Sequence, residues 1–266
     1  MTENSASIKK EERNWQDRQG GTLQQRAYER AGTRVMMEGQ FARVVEMLEL
    51  KSGMRLLDLG CGAGLFLVWL ARQAKVECHG IDLSFNSLKS AQGASAVLDL
   101  TLGDAESLPY KDGSFDRIAC NGAAHHLLDF RSALREMHRV LAPGGILVMY
   151  EPNANPLTNV VRSVFLSSNK YESPADLAHK DAFTPKAVHA TLLETGFTGI
   201  RTAFYDFLAY PLSGMYMDLP LGRSKTAMRL LTRLESRLER FPLLKPICDL
   251  FAWRLLVVAA KAKSVL

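Results

Sequence analysis

Apolar and polar positions along this chain follow two periods that take turns. From Thr22 to Leu50 the spacing is helical, with Phe41, Val44, Val45 and Leu48 on one face, and Lys51-Ser52-Gly53 closes the element. Short apolar runs then predict strands at Arg55–Leu59, Val76–Ile81, Leu98–Leu102, Arg117–Cys120 and Ile146–Glu151. Helical spacing between them predicts helices at Gly64–Gln73, Ser84–Gly93 and Phe130–Val140, with a turn at Ala142-Pro143-Gly144-Gly145. Strictly alternating strand and helix implies right-handed crossovers and a mostly parallel α/β sheet covered on both faces.

The later pattern is looser. Thr184-Pro185 starts a helix that runs to Thr195 and stops at Gly196. A strand is expected within Phe197–Tyr210, a loop at Pro211–Pro220, an amphipathic helix at Arg223–Phe241 and a last strand at Trp253–Ala260. Two late strands joined by a helical insertion extend the same sheet to seven strands. The expected organisation is a mobile arm over 1–21 and a single domain over 22–266. Within that domain lie a helical cap (22–50), a ligand-binding core (51–153), helical insertions (154–252) and the final strand and tail (253–266).

Composition narrows the class. The 266 residues are 47% hydrophobic, enough for one sizeable core. No apolar run reaches the ~18 residues of a membrane span, and the polar N-terminus lacks the apolar centre of a secretory signal. Cys61, Cys78, Cys120 and Cys248 have no metal-type pairing, so reduced thiols, a cytoplasmic location and no metal are expected. The formal charge is +5. From Leu221 to Leu266 ten Lys or Arg stand against three Asp or Glu, so that tail carries +7 and the remainder is slightly acidic. Positive charge gathered in one late element argues against a nucleic-acid partner.

The chemistry gathers where predicted strands end. Leu56-Leu57-Asp58-Leu59-Gly60-Cys61-Gly62-Ala63-Gly64 is a strand running into a glycine turn, where a ligand can approach the backbone without Cβ obstruction. Asp82, in Gly80-Ile81-Asp82-Leu83-Ser84, ends the second strand, where an acid can accept both hydroxyls of a ribose. Asp104 and Ala105 follow the third strand, and Asn121 ends the fourth. A glycine turn plus a ribose acid also describes nicotinamide proteins. Here the spacing is Gly-x-Gly-x-Gly, and Asp58 beside the turn would repel a pyrophosphate.

These segments, with His125-His126-Leu127 and Leu141-Ala142-Pro143-Gly144-Gly145, resemble the class I S-adenosylmethionine-dependent methyltransferases, of the group that methylates small molecules such as quinones and natural products. The likeness covers roughly residues 40–155. It implies a Rossmann-like fold, S-adenosylmethionine as cofactor and in-line transfer of a methyl group. It also implies that Asp58, Gly60, Cys61, Gly62 and Gly64 border the methionine part, Asp82 and Leu83 the ribose, Asp104 and Ala105 the adenine, and Asn121 the amino-acid moiety. Alignment of donor and acceptor is then the main task, contributing up to ~7–11 kcal/mol. A hydroxyl acceptor also needs a base.

His125 and His126, just past the fourth strand, are the candidates for that base, or they order a loop. Tyr28, Glu151, His179, Phe204 and Tyr210 are candidate acceptor contacts, and Arg34 and Asn153 lie near them in sequence. Phe204, Tyr205, Phe207, Tyr210, Met215, Tyr216 and Met217 suit an apolar pocket or plain core packing, so a small, largely apolar acceptor and O-methylation are expected, with C- or N-methylation open. On Arg223–Phe241, Lys225, Arg229, Arg233 and Arg237 form a basic stripe opposite Leu230, Leu231, Leu234, Leu238 and Phe241. That helix either packs its apolar face on the domain or touches an anionic membrane. The alternatives are a membrane-associated lipid or quinone methyltransferase, a non-catalytic S-adenosylmethionine-binding module and a nicotinamide oxidoreductase. Oligomeric state is left open.

Overall fold

The computed structural model describes residues 3–19, 22–95, 98–153, 184–213 and 219–263, with Asn155, Thr158, Pro174 and Met215. Seven strands form one sheet: β1 (Arg55–Leu59), β2 (Glu77–Asp82), β3 (Asp99–Leu102), β4 (Phe115–Asn121), β5 (Leu141–Pro152), β6 (Thr198–Tyr205) and β7 (Arg254–Ala260), in the order β3-β2-β1-β4-β5-β7-β6. Neighbours from β3 to β5 run parallel, and β7 is antiparallel to both β5 and β6. The Rossmann-like, mostly parallel sheet expected from the alternation is the observed one.

Strands buried on both faces read as continuous apolar runs, and strand alternation sorts their side chains into two layers. Leu57, Leu59, Ile118, Cys120, Leu147 and Met149 enter one core cluster, and Leu56, Ala119, Val148 and Tyr150 enter the other. The first is closed by α6 (Phe130–Val140) and α7 (Pro185–Glu194). The second is closed by α3 (Ala31–Leu48), α4 (Leu65–Ala71), α5 (Phe85–Ala94) and α10 (Lys225–Leu238).

The structure departs from the sequence expectations at four places. The 22–50 helix is two: α2 (Thr22–Glu29) and α3 break at Arg30, whose backbone is extended. β5 begins at Leu141 because Leu141 pairs with Phe115, and the glycine turn is absorbed as a register shift. The strand within 197–210 ends at Tyr205, where Asp206 takes φ 63° and the chain turns into α8 (Ala209–Leu212). Residues Glu3–Gln19, expected within an arm, form a helix, α1, that makes the ion pairs and hydrogen bonds described below. The rest of the insertion forms α9 (Pro220–Arg223), α10 and α11 (Lys245–Leu250).

Candidate active site at the carboxyl ends of the strands

Strand order reverses between β1 and β4, so their carboxyl ends open the crevice of a doubly wound sheet. The glycine turn lines it, with Gly60, Gly62 and Gly64 at φ 70°, 52° and 71°. A Cβ on Gly60 would stand 2.2 Å from that of Ala123, so the turn and the loop after β4 meet only because residue 60 is glycine. Gly62 N–H donates to Asp82 Oδ2 and Ser84 N–H to Asp82 Oδ1, both at 2.8 Å, which ties the turn to the end of β2. Cys61 is buried in the turn, and burial pushes its thiol pKa well up, so it is packing and not a nucleophile.

Asp58 is 2% exposed and its Oδ1 has no protein hydrogen-bond partner. Burial, then the charge of Asp82, hold its pKa well above the usual carboxylate range. Asn121 lies two residues beyond Ala119, the register partner of Asp58, and so on the same face of the sheet. Its buried Nδ2 is also unpartnered. Leaving a buried donor or acceptor open costs roughly 1–3 kcal/mol each, so the two together point to a ligand that offers a donor to Asp58 and an acceptor to Asn121.

Past β4 the chain makes a 3₁₀ turn, Ala124–His126. Glu151, fully buried at the end of β5, organises it. Glu151 Oε1 accepts the N–H groups of Gly122, Ala123 and Ala124 at 3.0–3.1 Å, and Oε2 lies 2.7 Å from His125 Nδ1. Burial pushes the Glu151 pKa up, but the hydrogen bond and charge of His125 and the Ala124 amide outweigh it, leaving it below the ordinary glutamate value. A carboxylate at Glu151 accepts from an Nδ1–H, the tautomer in which Nε2 is the basic nitrogen. Both Glu151 oxygens are engaged by the chain itself.

Helix α1 lies along the rim. Lys9 Nζ is 2.5 Å from both Asp104 Oδ2 and Glu106 Oε2. Asp17 accepts from Ser84 Oγ at 2.8 Å and from Asn86 N–H at 3.3 Å, and the Trp15 ring sits 6.3 Å from that of His126. Glu12 Oε1 is 3.6 Å from His126 Nδ1. Glu106 Oε1 accepts from Leu128 and Asp129 N–H, joining this rim to the histidine loop.

Other candidates sit elsewhere. Leu83 and Ala105 are half-buried beside Asp82 and Asp104. Tyr28 donates to Glu38 at 3.0 Å, rests near Phe41 and carries the Arg34 guanidinium 5.2 Å from its ring centroid, so it belongs to the α3 layer. Phe204 packs on the first core cluster. Tyr210 is buried in the second, near Trp253. Asn153 donates to Ala252 O, bracing β5 against the start of β7. His179, Tyr216 and Met217 lie outside the described residues. Lys9, Asp17 and Glu106 escaped the sequence reading, and of these only Glu106, two residues after Asp104, carried a signal.

A family model described as a methyltransferase domain matches residues 57–149. Norajmaline N-methyltransferase of Rauvolfia serpentina is 40% identical over 105 residues, covering 37% of this chain and 36% of that protein. Demethylmenaquinone methyltransferase of Staphylococcus aureus is 33% identical over 137 residues, covering 50% and 56%. A solved S-adenosylmethionine-dependent methyltransferase from Archaeoglobus fulgidus shares the fold (TM-score 0.58, 20% identity, covering 88% of this chain and 97% of that one). The chain spans little more than half, at most, of the two curated relatives it matches here.

The cofactor of such a domain is S-adenosylmethionine, and the residues present fit it. Asp58 is an acceptor suited to its ammonium and Asn121 Nδ2 a donor suited to its carboxylate. Asp82 keeps lone pairs for ribose hydroxyls, and Asp104, held by Lys9, is an acceptor for the adenine amine.

Proposed function

We propose that this chain transfers a methyl group from S-adenosylmethionine to a small, largely apolar acceptor, with a hydroxyl as the preferred target and carbon or nitrogen as less favoured ones. One observation carries the choice of a hydroxyl: His125, just past the strand that presents Asn121, is held at Nδ1 by the buried Glu151. When bound, the cofactor supplies an electrophilic methyl on a sulfonium. The chain's share is to orient donor and acceptor, exclude water under α1 and receive a proton at His125 Nε2. Glu151 keeps that ring in the correct tautomer and fixes the loop by three backbone hydrogen bonds. The half-buried Phe204, Tyr205 and Phe207 favour an apolar acceptor.

The test follows methyl-labelled S-adenosylmethionine added with the protein to fractionated cell extract. Label in the organic-extractable fraction supports the proposal. Label in polar or protein fractions overturns the acceptor class. Tight binding of S-adenosylhomocysteine with no transfer to any fraction makes the chain a binding module.

A further inference from the structure

Helix α10 does not do what its sequence pattern first suggests. Its buried side is Met228 and Glu235, both at 0% exposure, with Leu231 and Thr232 half-buried. Leu230 and Leu234, expected among the packed apolar residues, are 62% and 49% exposed. They are one helical turn apart, so they form a stripe, and Arg229, Arg233 and Arg237 run beside it one residue out of step. The apolar exposure continues beyond α10. On α11, Ile247 and Leu250 are exposed, as is Phe251 at its C-terminal cap, and Leu243 in the connection is 90% exposed. Of the twelve large apolar side chains exposed among the described residues, nine lie between Leu221 and Phe251. Single exposed leucines need no explanation, but such a concentration marks an interaction surface.

Charge selects the occupant. Arg223, Lys225, Arg229, Arg233, Arg237 and Arg240 are all exposed. The three acids of the same segment are all engaged. Glu235 accepts the amides of Leu208 and Ala209, Glu239 faces Arg43 at 3.7 Å, and the partly exposed Asp249 pairs with Lys245. What this face offers outward is therefore chiefly apolar side chains and cations. A second copy of the chain would oppose cations to cations, and a nucleic acid would have no use for nine exposed apolar groups. An anionic bilayer uses both, taking leucine and phenylalanine into the acyl boundary while arginines reach the phosphates.

We propose that α10, α11 and the connection between them dock this protein on the surface of an anionic membrane. The docking is peripheral, since no described helix is long and apolar enough to cross a bilayer. It also orients the crevice. Phe251 precedes by three residues Arg254, whose guanidinium lies 5.1 Å from the Tyr150 ring centroid and donates to Tyr150 O, next to the strand end that holds Glu151. The docked segment thus runs straight to the carboxyl-end side of the sheet, where an acceptor partitioned into lipid would arrive. The proposal stands on surface chemistry and is independent of methyl transfer.

The experiment is co-sedimentation of the full chain with vesicles of phosphatidylcholine alone or with phosphatidylglycerol. The expected result is pelleting with the anionic vesicles only, weakened by salt. Leu243→Glu with Ile247→Glu, and separately Arg229→Glu with Arg233→Glu, should each lower partitioning roughly tenfold or more. Thermal unfolding checks that these variants fold. If either double variant does not, Leu243→Ser changes a side chain that touches almost nothing and should still lower partitioning about threefold. Wild-type protein left in the supernatant, equal binding to neutral vesicles, or variants that pellet like wild type would each overturn the proposal. So would a dimer, seen by analytical ultracentrifugation, that the Leu243→Glu, Ile247→Glu protein loses while neither form binds vesicles, because the face would then be a contact between copies.

Discussion

Two buried carboxylates, Glu151 and Asp206, lie on opposite faces of β5, and they are satisfied by different kinds of donor. On the crevice side, Asp82 and Glu151 accept mainly from backbone N–H groups of the glycine turn, Ser84 and the histidine loop. On the other side, Asp206 accepts from side chains: Gln40, Arg43 and, at 2.8 Å, the Tyr150 hydroxyl. Buried carboxylate oxygens without a protein partner among the described residues are at Asp58, Glu235 and Glu239. Backbone donors at strand ends cannot move without moving the sheet, so they hold a ligand site in shape before the ligand arrives. Side-chain donors reach between layers, and here they join α3 and β5 at the residue that follows β6. The first cluster should therefore lose function before stability when disturbed, and the second stability before function.

The sharpest way to break that contrast is at the reacting loop. His125→Ala should lower kcat by about 10²–10⁴ with S-adenosylhomocysteine affinity changed less than about threefold, and Glu151→Gln should cost a smaller part of the same loss. Steady-state kinetics beside calorimetry reads both, and an unchanged kcat in His125→Ala would remove the base from the mechanism. Next comes Asp82→Ala, which unties the glycine turn and removes the ribose acceptor. Affinity for S-adenosylhomocysteine should fall about 100-fold while circular dichroism stays that of the wild type. A loss of fold here would erase the contrast.

The second cluster is tested by pH. Burial first, and then the charge of Asp206, raise the Glu235 pKa to about 7. A carboxyl whose folded value exceeds its unfolded one gives stability that is present below about pH 4.5 and lost as pH rises through about 7. That loss is roughly 3 kcal/mol. Glu235→Gln should melt above the wild type at pH 8 and level with it near pH 4, and equal slopes in the two proteins would assign the titration to another group. The smallest effect is expected at Lys9→Ala. Its ion pairs are partly exposed, so stability should fall by about 1 kcal/mol or less. Limited proteolysis within α1 should nonetheless quicken in the ligand-free protein.

What was legible beforehand and what was not divide along range. The turn at Gly60–Gly64, Asp82 at a strand end and His125 past β4 announce themselves through neighbours a few residues away, because strand-end chemistry is local. The role of Glu151 was hidden because its partners are the backbone of 122–124 and a ring 26 residues away. α1 was hidden because it is attached by charged side chains, which leave no periodic apolar stripe to read. The side taken by Leu230 and Leu234 was left open for the opposite reason. An apolar stripe normally faces a core, and only the fold tells that α3 takes the other side of the helix.

One feature of β5 restricts how this protein can change over generations. Tyr150 and Glu151 are consecutive, and strand alternation sends the first to Asp206 and the second to His125. Substitutions at either position alter one cluster at a time. Gaining or losing a single residue upstream in the strand would turn both side chains over together, presenting a phenol to the histidine loop and a carboxylate to Asp206. Descendants of this chain can thus vary in the identity of β5 residues far more freely than in their number.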